Sequence, residues 1–277
     1  MTAPALCSVH THSVHCDGKA TLEAMAEAAY RAGVKYFGAS GHSHTPFPWD
    51  AVDSVLPADT SAYQAEVLRL REVYAGRMEV LLGIEQDSGS LQPVPDWAEY
   101  WIGSVHNLQD PATGTCGCID WDPETFQKTC RDLAGGDAMA LVEHYYKDVA
   151  ATAAQKPTIL GHADLIVKFN EGGRFFDENA PRYRAAALNA LHAADPTQTL
   201  LEINTGAVFR GYRKAPYPAP FLLQEWRAMG GRVILTSDAH STDAIIWGYA
   251  QSAELARAAG FRECSILTRE GERTCPL

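Results

Sequence analysis

The sequence predicts an α/β protein in which about seven parallel strands, each followed by helical segments, close into a TIM-like barrel. Three observations carry that reading. Short apolar or β-branched runs alternate with longer helical patterns along the chain. No G-x-G-x-x-G follows the first strand, as an open dinucleotide-binding sheet would show. Polar residues recur at the ends of many strands rather than at one switch point, which suits a barrel whose functional face lies at the C-terminal strand ends. The length of 277 residues fits one such domain over residues 1–277.

The elements follow in order. "ALCSVH", residues 5–10, reads as the first strand. "TLEAMAEAAYRAG" is a helix with Thr21 as N-cap and Gly33 as its stop. "VKYFGAS" is the second strand, "SAYQAEVLRLREVYAG" a helix ended by Gly76, and "MEVLLGIE" the third strand. "YWIGSVH" is the fourth strand, and residues 122–155 read as two helices broken at Gly135–Gly136. "TILGHADL" is the fifth strand, before a helix with Pro181 in its first turn. "TLLEINTG" and "RVILTSDAH" are the sixth and seventh strands, separated by the helix "APFLLQEWRAMGG". A helix near "TDAIIWGYAQSAELARAAG" and a terminal strand "ECSILT" complete the reading.

Composition narrows the function. A formal net charge of −11, with no long Lys/Arg runs, disfavours nucleic-acid binding, which needs a basic face. Seven cysteines in an irregular, odd set suggest a reducing compartment rather than disulfide staples. Cys116 and Cys118 form a lone C-x-C, whereas a structural zinc site usually needs two such pairs. There is no basic leader followed by an apolar stretch and no run of about 18 apolar residues. The expectation is a cytoplasmic protein with no membrane partner, of unknown oligomeric state.

The informative positions are the strand ends. His10 and His12 end the first strand, His42 the second, Glu85 the third and His106 the fourth. The fifth carries His162 and Asp164, the sixth Glu202 and Asn204, and the seventh Asp238 and His240. With His15, seven of the ten histidines fall at or just after a strand end. Residues i and i+2 of a strand share a face, so His10 and His12 point together, as do Asp238 and His240. Imidazoles beside carboxylates make a nitrogen–oxygen metal site suited to Zn, Mn or Fe. Glu85 ends an apolar strand, where an unpartnered carboxylate is costly; shared between two ions, it would serve a multinuclear centre. His44 is an alternative to His42. Asp17 and Gly18 form a turn, or Asp17 supports a ligating histidine from behind. Glu202 is supporting or structural. His144 and His192, in helical patterns, read as hydrogen-bonded core residues.

Taken together, "HTHSVHCDG", "GHSHTPF", "GIE", "GSVH", "GHADL" and "SDAH" resemble the polymerase-and-histidinol-phosphatase (PHP) superfamily. "GHADLIVKFN" and "EINTGAVFRGYRKAPYP" resemble its histidinol-phosphate phosphatase branch. The resemblance implies a distorted (β/α)7 barrel holding a trinuclear centre of Zn, Mn or Fe. It assigns His10, His12, Glu85 and Asp238 to one metal, Glu85, His106 and His162 to a second, and His15, His42 and His240 to a third. It favours Lys168 and Arg210 as phosphate contacts, with Arg213 as the alternate; the fork of an arginine suits a phosphate. One departure is glycine rather than aspartate before His42. The implied reaction is hydrolysis of L-histidinol phosphate in histidine biosynthesis by a metal-activated hydroxide, with no covalent intermediate and no further catalytic residue assigned. The competing readings are a PHP-type phosphatase or phosphodiesterase for another small phosphoester, such as a nucleotide, and a non-catalytic metal-binding barrel.

Overall fold

The computed structural model describes residues 6–49 and 54–277. Strand β1 (Leu6–Ser8) pairs in parallel with β2 (Val34–Ala39), β2 with β3 (Glu79–Asp87), and β3 with β4 (Tyr100–Ser104). A separate hairpin follows, of β5 (Asn107–Gln109) and β6 (Cys116–Cys118). The parallel succession resumes with β7 (Ile159–Leu160), β8 (Leu200–Asn204) and β9 (Arg232–Thr236). Beyond the last residues of β1 and β9, Thr11 bridges Ala239. His12 N donates to Ala239 O at 2.8 Å and Ala239 N to His10 O at 3.1 Å. The first and seventh strands therefore meet at their C-terminal ends. Further back, at Ile234, β9 pairs with β10 (Glu263–Thr268), which carries the antiparallel edge strand β11 (Gly271–Pro276). The barrel is distorted: joined at one end and diverted into an outer ribbon behind it.

Helices cover the sheet where the local chemistry starts and stops them. Helix α1 (Leu22–Arg31) is capped by Thr21, whose Oγ1 accepts from Ala24 N at 3.2 Å. After α2 (Thr60–Val73), α3 (Pro123–Ala134) begins on Asp122 and ends at Gly135, which takes a left-handed φ of 59°. Asp137 then caps α4 (Ala138–Ala153), so the break at the glycine pair stands where expected. The remaining helices are α5 (Pro181–His192), the single turn α6 (Gly206–Phe209), α7 (Pro220–Ala228) and α8 (Tyr249–Ala258). Among the described residues, no helix is long and apolar enough to cross a membrane.

Several expectations are corrected. Alternation is not strict: residues 88–99 join β3 to β4 without a helix, in a stretch that Pro93 and Pro95 interrupt. The β5–β6 hairpin, α6 and β11 were not anticipated. The last helix is shorter than its pattern, starting at Tyr249 after a 3-10 turn at Thr242–Ala244. The fifth strand shrinks to Ile159–Leu160, and the chain enters a 3-10 turn at Leu165–Val167. Ala5, at the start of the first expected strand, lies outside the described residues.

Large buried side chains, most of them from the helices, form two hydrophobic clusters with the strands. Phe126, Tyr145, Tyr183 and Trp226 belong to one cluster, and Leu22, Met25, Phe37, Tyr63 and Leu70 to another. Tyr100 crosses between strands. Its hydroxyl donates to Val9 O at 2.6 Å and lies 3.1 Å from Ala39 O. The ring needs the space that glycine leaves: a Cβ at Gly83 would sit 2.3 Å from its Cζ. Gly83 and Glu85 share a face of β3, so this packing holds the strand beneath Glu85. Gly83→Ala should therefore destabilise the fold by about 1–3 kcal/mol through overpacking, read as a fall in the urea midpoint; an unchanged midpoint would show that Tyr100 is free to move.

Candidate metal centre and its cleft

Glu85 lies fully buried, and both of its oxygens face imidazoles. Oε2 is 3.2 Å from His10 Nε2, 3.3 Å from His12 Nε2 and 3.1 Å from His42 Nδ1. Oε1 is 3.0 Å from His162 Nε2 and 3.5 Å from His106 Nε2, and accepts from Ser104 Oγ at 2.6 Å. Asp238 Oδ1 lies 3.5 Å from His10 Nε2 and 3.3 Å from His12 Nε2. The expected ligands of the first two metals are thus brought together from the ends of five strands.

The rings are held from behind. His10 Nδ1 donates to Glu202 Oε1 at 2.5 Å, and Glu202 Oε2 accepts from His162 N at 2.6 Å. Thr236 Oγ1 also donates to Glu202 Oε1, at 2.6 Å. His106 Nδ1 donates to Asp87 Oδ2 at 3.0 Å, and His240 Nδ1 lies 2.9 Å from the Asp238 carbonyl. Each such bond fixes the proton on Nδ1 and leaves Nε2 as a lone-pair donor directed at the carboxylates. Nε2 of His10, Nε2 of His12 and Oε2 of Glu85 are buried without a hydrogen-bond partner. Acceptors facing acceptors in a buried site is unfavourable unless a cation lies among them. The donor set therefore fits metal ions.

Without a metal, protons balance the charge: burial works against a charged Glu85, but His10, His42 and His106, themselves raised against burial above the ordinary histidine value by the surrounding carboxylates, hold its carboxyl well below the usual range. A metal ion in the centre would take the place of those protons. Asp238 is likewise held low against burial, by Arg210 first and then His10 and His240. Burial, with His240 and His42 alongside, pushes His12 down to about 3, so its ring is neutral and able to ligate.

The third expected group is corrected at one position. His42 and His240 converge as expected, but His15 stands apart, its ring edge-on to Tyr63 with centroids 5.5 Å apart. Asp17 occupies the place instead: its Oδ2 is 3.0 Å from His240 Nε2 and its Oδ1 3.6 Å from His42 Nε2. The turn after His12 explains the exchange. Gly18 N donates to Ser13 O at 3.0 Å, and a Cβ on Gly18 would lie 2.3 Å from Ser13 N, so only glycine lets the chain fold back this tightly. That fold returns Asp17 to the centre and leaves His15 outside.

Other assignments resolve by position. His44 Nδ1 lies 3.4 Å from Ser54 Oγ, while His42 is the histidine at the centre. His144 lies 3.8 Å from Asp148 along α4, and His192 pairs with Glu225 at 2.6 Å on an exposed face rather than in the core. Cys116 and Cys118 are in none of the candidate metal-holding groups among the described residues.

The centre opens into a cleft of about 260 Å³ whose wall includes Lys168 and Arg210. Lys168 Nζ donates to Asp120 O at 2.5 Å and lies 3.2 Å from Asp120 Oδ2. Arg210 Nη2 donates to Asp238 Oδ2 at 2.9 Å. Arg213 is not at the cleft; it forks onto Glu178 at 2.9 and 3.0 Å and donates to Val167 O, tying two loops together. Asp87, Ser104, Asp120 and Thr236 were missed. The i, i+2 rule that paired His10 with His12 would have found Asp87 from Glu85; Ser104, Asp120 and Thr236 carry no such local signal.

The sequence profile of the PHP domain matches residues 8–206. The chain belongs to the PHP domain family. A curated relative from Deinococcus radiodurans, named "Probable histidinol-phosphatase", is 30% identical over 280 residues, covering 96% of this chain and 98% of the relative. The fold matches the HisK structure of Listeria monocytogenes with a TM-score of 0.74 at 18% identity, over 88% of this chain and 98% of that one. It also matches the histidinol phosphate phosphatase of Lactococcus lactis, solved with zinc, L-histidinol and phosphate. There the TM-score is 0.71 at 19% identity, over 96% of this chain and 98% of that one.

In this PHP domain the exchange of His15 for Asp17 is directly testable. Asp17→Ala should lower the number of Zn equivalents retained after dialysis, whereas His15→Ala should retain the wild-type number. The opposite pattern would restore His15 to the centre.

Proposed function

We propose that this PHP protein is a metal-dependent phosphomonoesterase that hydrolyses L-histidinol phosphate to L-histidinol and phosphate, a cytoplasmic step of histidine biosynthesis. The observation that carries the reading is the buried set of unpartnered donor atoms on His10, His12 and Glu85, opening into a cleft that also presents Lys168 and Arg210. The full-length likeness to a relative named for that activity supports it.

In this reading the centre is trinuclear. His10, His12, Glu85 and Asp238 would hold one ion, Glu85, His106 and His162 a second, and Asp17, His42 and His240 a third. His/Asp/Glu ligands accept Zn, Mn and Fe alike. Such ions supply an acidified water and neutralise charge on a phosphoryl group.

The chain's own residues do the rest. Asp120 holds Lys168 Nζ through two oxygens, which leaves a proton of the ammonium for a phosphate oxygen. Arg210 is oriented by Asp238, and its Nη1 lies 3.2 Å from His240 Nδ1. Arg210 lines the cleft, where its planar fork suits a phosphate. Glu202, by holding the Nδ1 proton of His10, keeps that ring in one tautomer through turnover. The acidic balance and the small cleft favour a small phosphomonoester over nucleic acid.

The test is phosphate release by metal-loaded protein across a panel of phosphomonoesters. L-histidinol phosphate should be preferred at least about tenfold in kcat/KM over nucleoside monophosphates, and a chelator should abolish turnover. Arg210→Ala should lower kcat/KM by about 100-fold. A protein that binds its metals yet releases phosphate from none of these esters would instead be a metal-binding barrel.

A further inference from the structure

The cleft has more wall than the metal centre and its two cations use. Three large aromatic side chains line it while staying exposed: Trp121 at 64%, Tyr212 at 39% and Trp49 at 38%. A single exposed apolar side chain is ordinary, but three at the mouth of one cleft form a patch with a use.

Each ring stands on an anchored base. Trp49 Nε1 donates to Asn107 Oδ1 at 2.9 Å, and its ring stacks on Phe47 with centroids 5.5 Å apart at 12°. Trp121 lies between two fixed aspartates. Asp120 is held by Lys168, and Asp122 Oδ1 accepts from Thr125 N at 2.6 Å to cap α3. The Tyr212 ring meets Phe169 edge-on at 5.1 Å, with Lys168 Nζ 5.5 Å from its centroid. Trp49 and Tyr212 are thus held by contacts of their own rings, and Trp121 is carried on a stretch of chain fixed on either side of it.

The chemistry of the wall indicates what they receive. The carboxylates at the cleft are already engaged, Asp17 and Asp238 among the candidate metal-holding groups, Asp87 with His106 and Asp120 with Lys168. The selection therefore falls to the aromatic faces themselves, which attract flat and positively charged groups.

We infer that Trp49, Trp121 and Tyr212 form a leaving-group subsite that selects phosphomonoesters whose alcohol carries a planar ring, with added affinity where that alcohol is also cationic. Trp121, the most exposed of the three, is its main specificity-determining residue. The inference rests on the phosphomonoesterase reading above and names what that site discriminates.

The experiment compares wild type, Trp121→Ala and Trp121→Phe, metal-loaded, on L-histidinol phosphate, p-nitrophenyl phosphate and glycerol 3-phosphate. For the two ring-bearing esters, Trp121→Ala should raise KM about tenfold with kcat within about twofold, and glycerol 3-phosphate should be unaffected. Trp121→Phe should recover most of the loss. Binding of L-histidinol, followed without turnover by calorimetry, should weaken in parallel in Trp121→Ala. Equal effects on all three esters, no effect on any, or a wild-type preference for glycerol 3-phosphate would each overturn the subsite. A wild-type preference for p-nitrophenyl phosphate over L-histidinol phosphate that Trp121→Ala removes would uphold the subsite while overturning the histidinol-phosphate reading.

Discussion

A carboxylate with no access to water, faced by five imidazoles, is the constraint around which this molecule is arranged. Glu85 stands at the end of β3 with no exposed surface, and His10, His12, His42, His106 and His162 all direct ring nitrogens at it. Isolated, such a group would neutralise itself by taking up a proton. Its neighbours hold it ionised instead, and cations placed among the unpartnered atoms around it would satisfy them. The scaffold must therefore bring several strand ends to one point, which the parallel barrel does by construction.

Glu202 shows how that convergence is kept in register. It comes from β8 and binds the ring of His10, the backbone of His162 and the hydroxyl of Thr236, so one buried carboxylate links the ends of four strands. The bridge between Thr11 and Ala239 acts at the same level, joining the loops that carry His10, His12 and Asp238. Below, Tyr100 packs where Gly38 and Gly83 leave room, so the strand under Glu85 has a fixed height.

Much of this was legible in the sequence because strands impose a period of two. That period, applied at the ends of apolar runs, located His10, His12, Glu85, Asp238 and His240 without coordinates. The same logic failed where the chain leaves the sheet. Past Ser13 the spacing says nothing about direction, and it is the tight turn at Gly18 that chooses Asp17 over His15. Arg213 stood as the alternate phosphate contact because it, like Arg210, follows the sixth strand; its partner, Glu178, lies far off in sequence and is brought near only by folding. The β5–β6 hairpin, which leads to Asp120 and Trp121, was invisible because strands of three residues in a Gly-, Cys- and Thr-rich stretch carry no measurable period.

The hairpin also explains how a strongly conditioned centre coexists with a selective cleft. Positions facing Glu85 are buried and packed against one another, so little can change there without disturbing the candidate ligands. Past His106, the connection from β4 to α3 has no such duty. It contributes Asn107, Asp120 and Trp121 to the same cleft from outside the barrel, where Asn107 holds Trp49 and Asp120 holds Lys168. Chemistry then resides in the strand ends and choice of leaving group in an appended loop. That division lets substrate preference change by substitution in residues 107–121 while the centre and the barrel stay as they are.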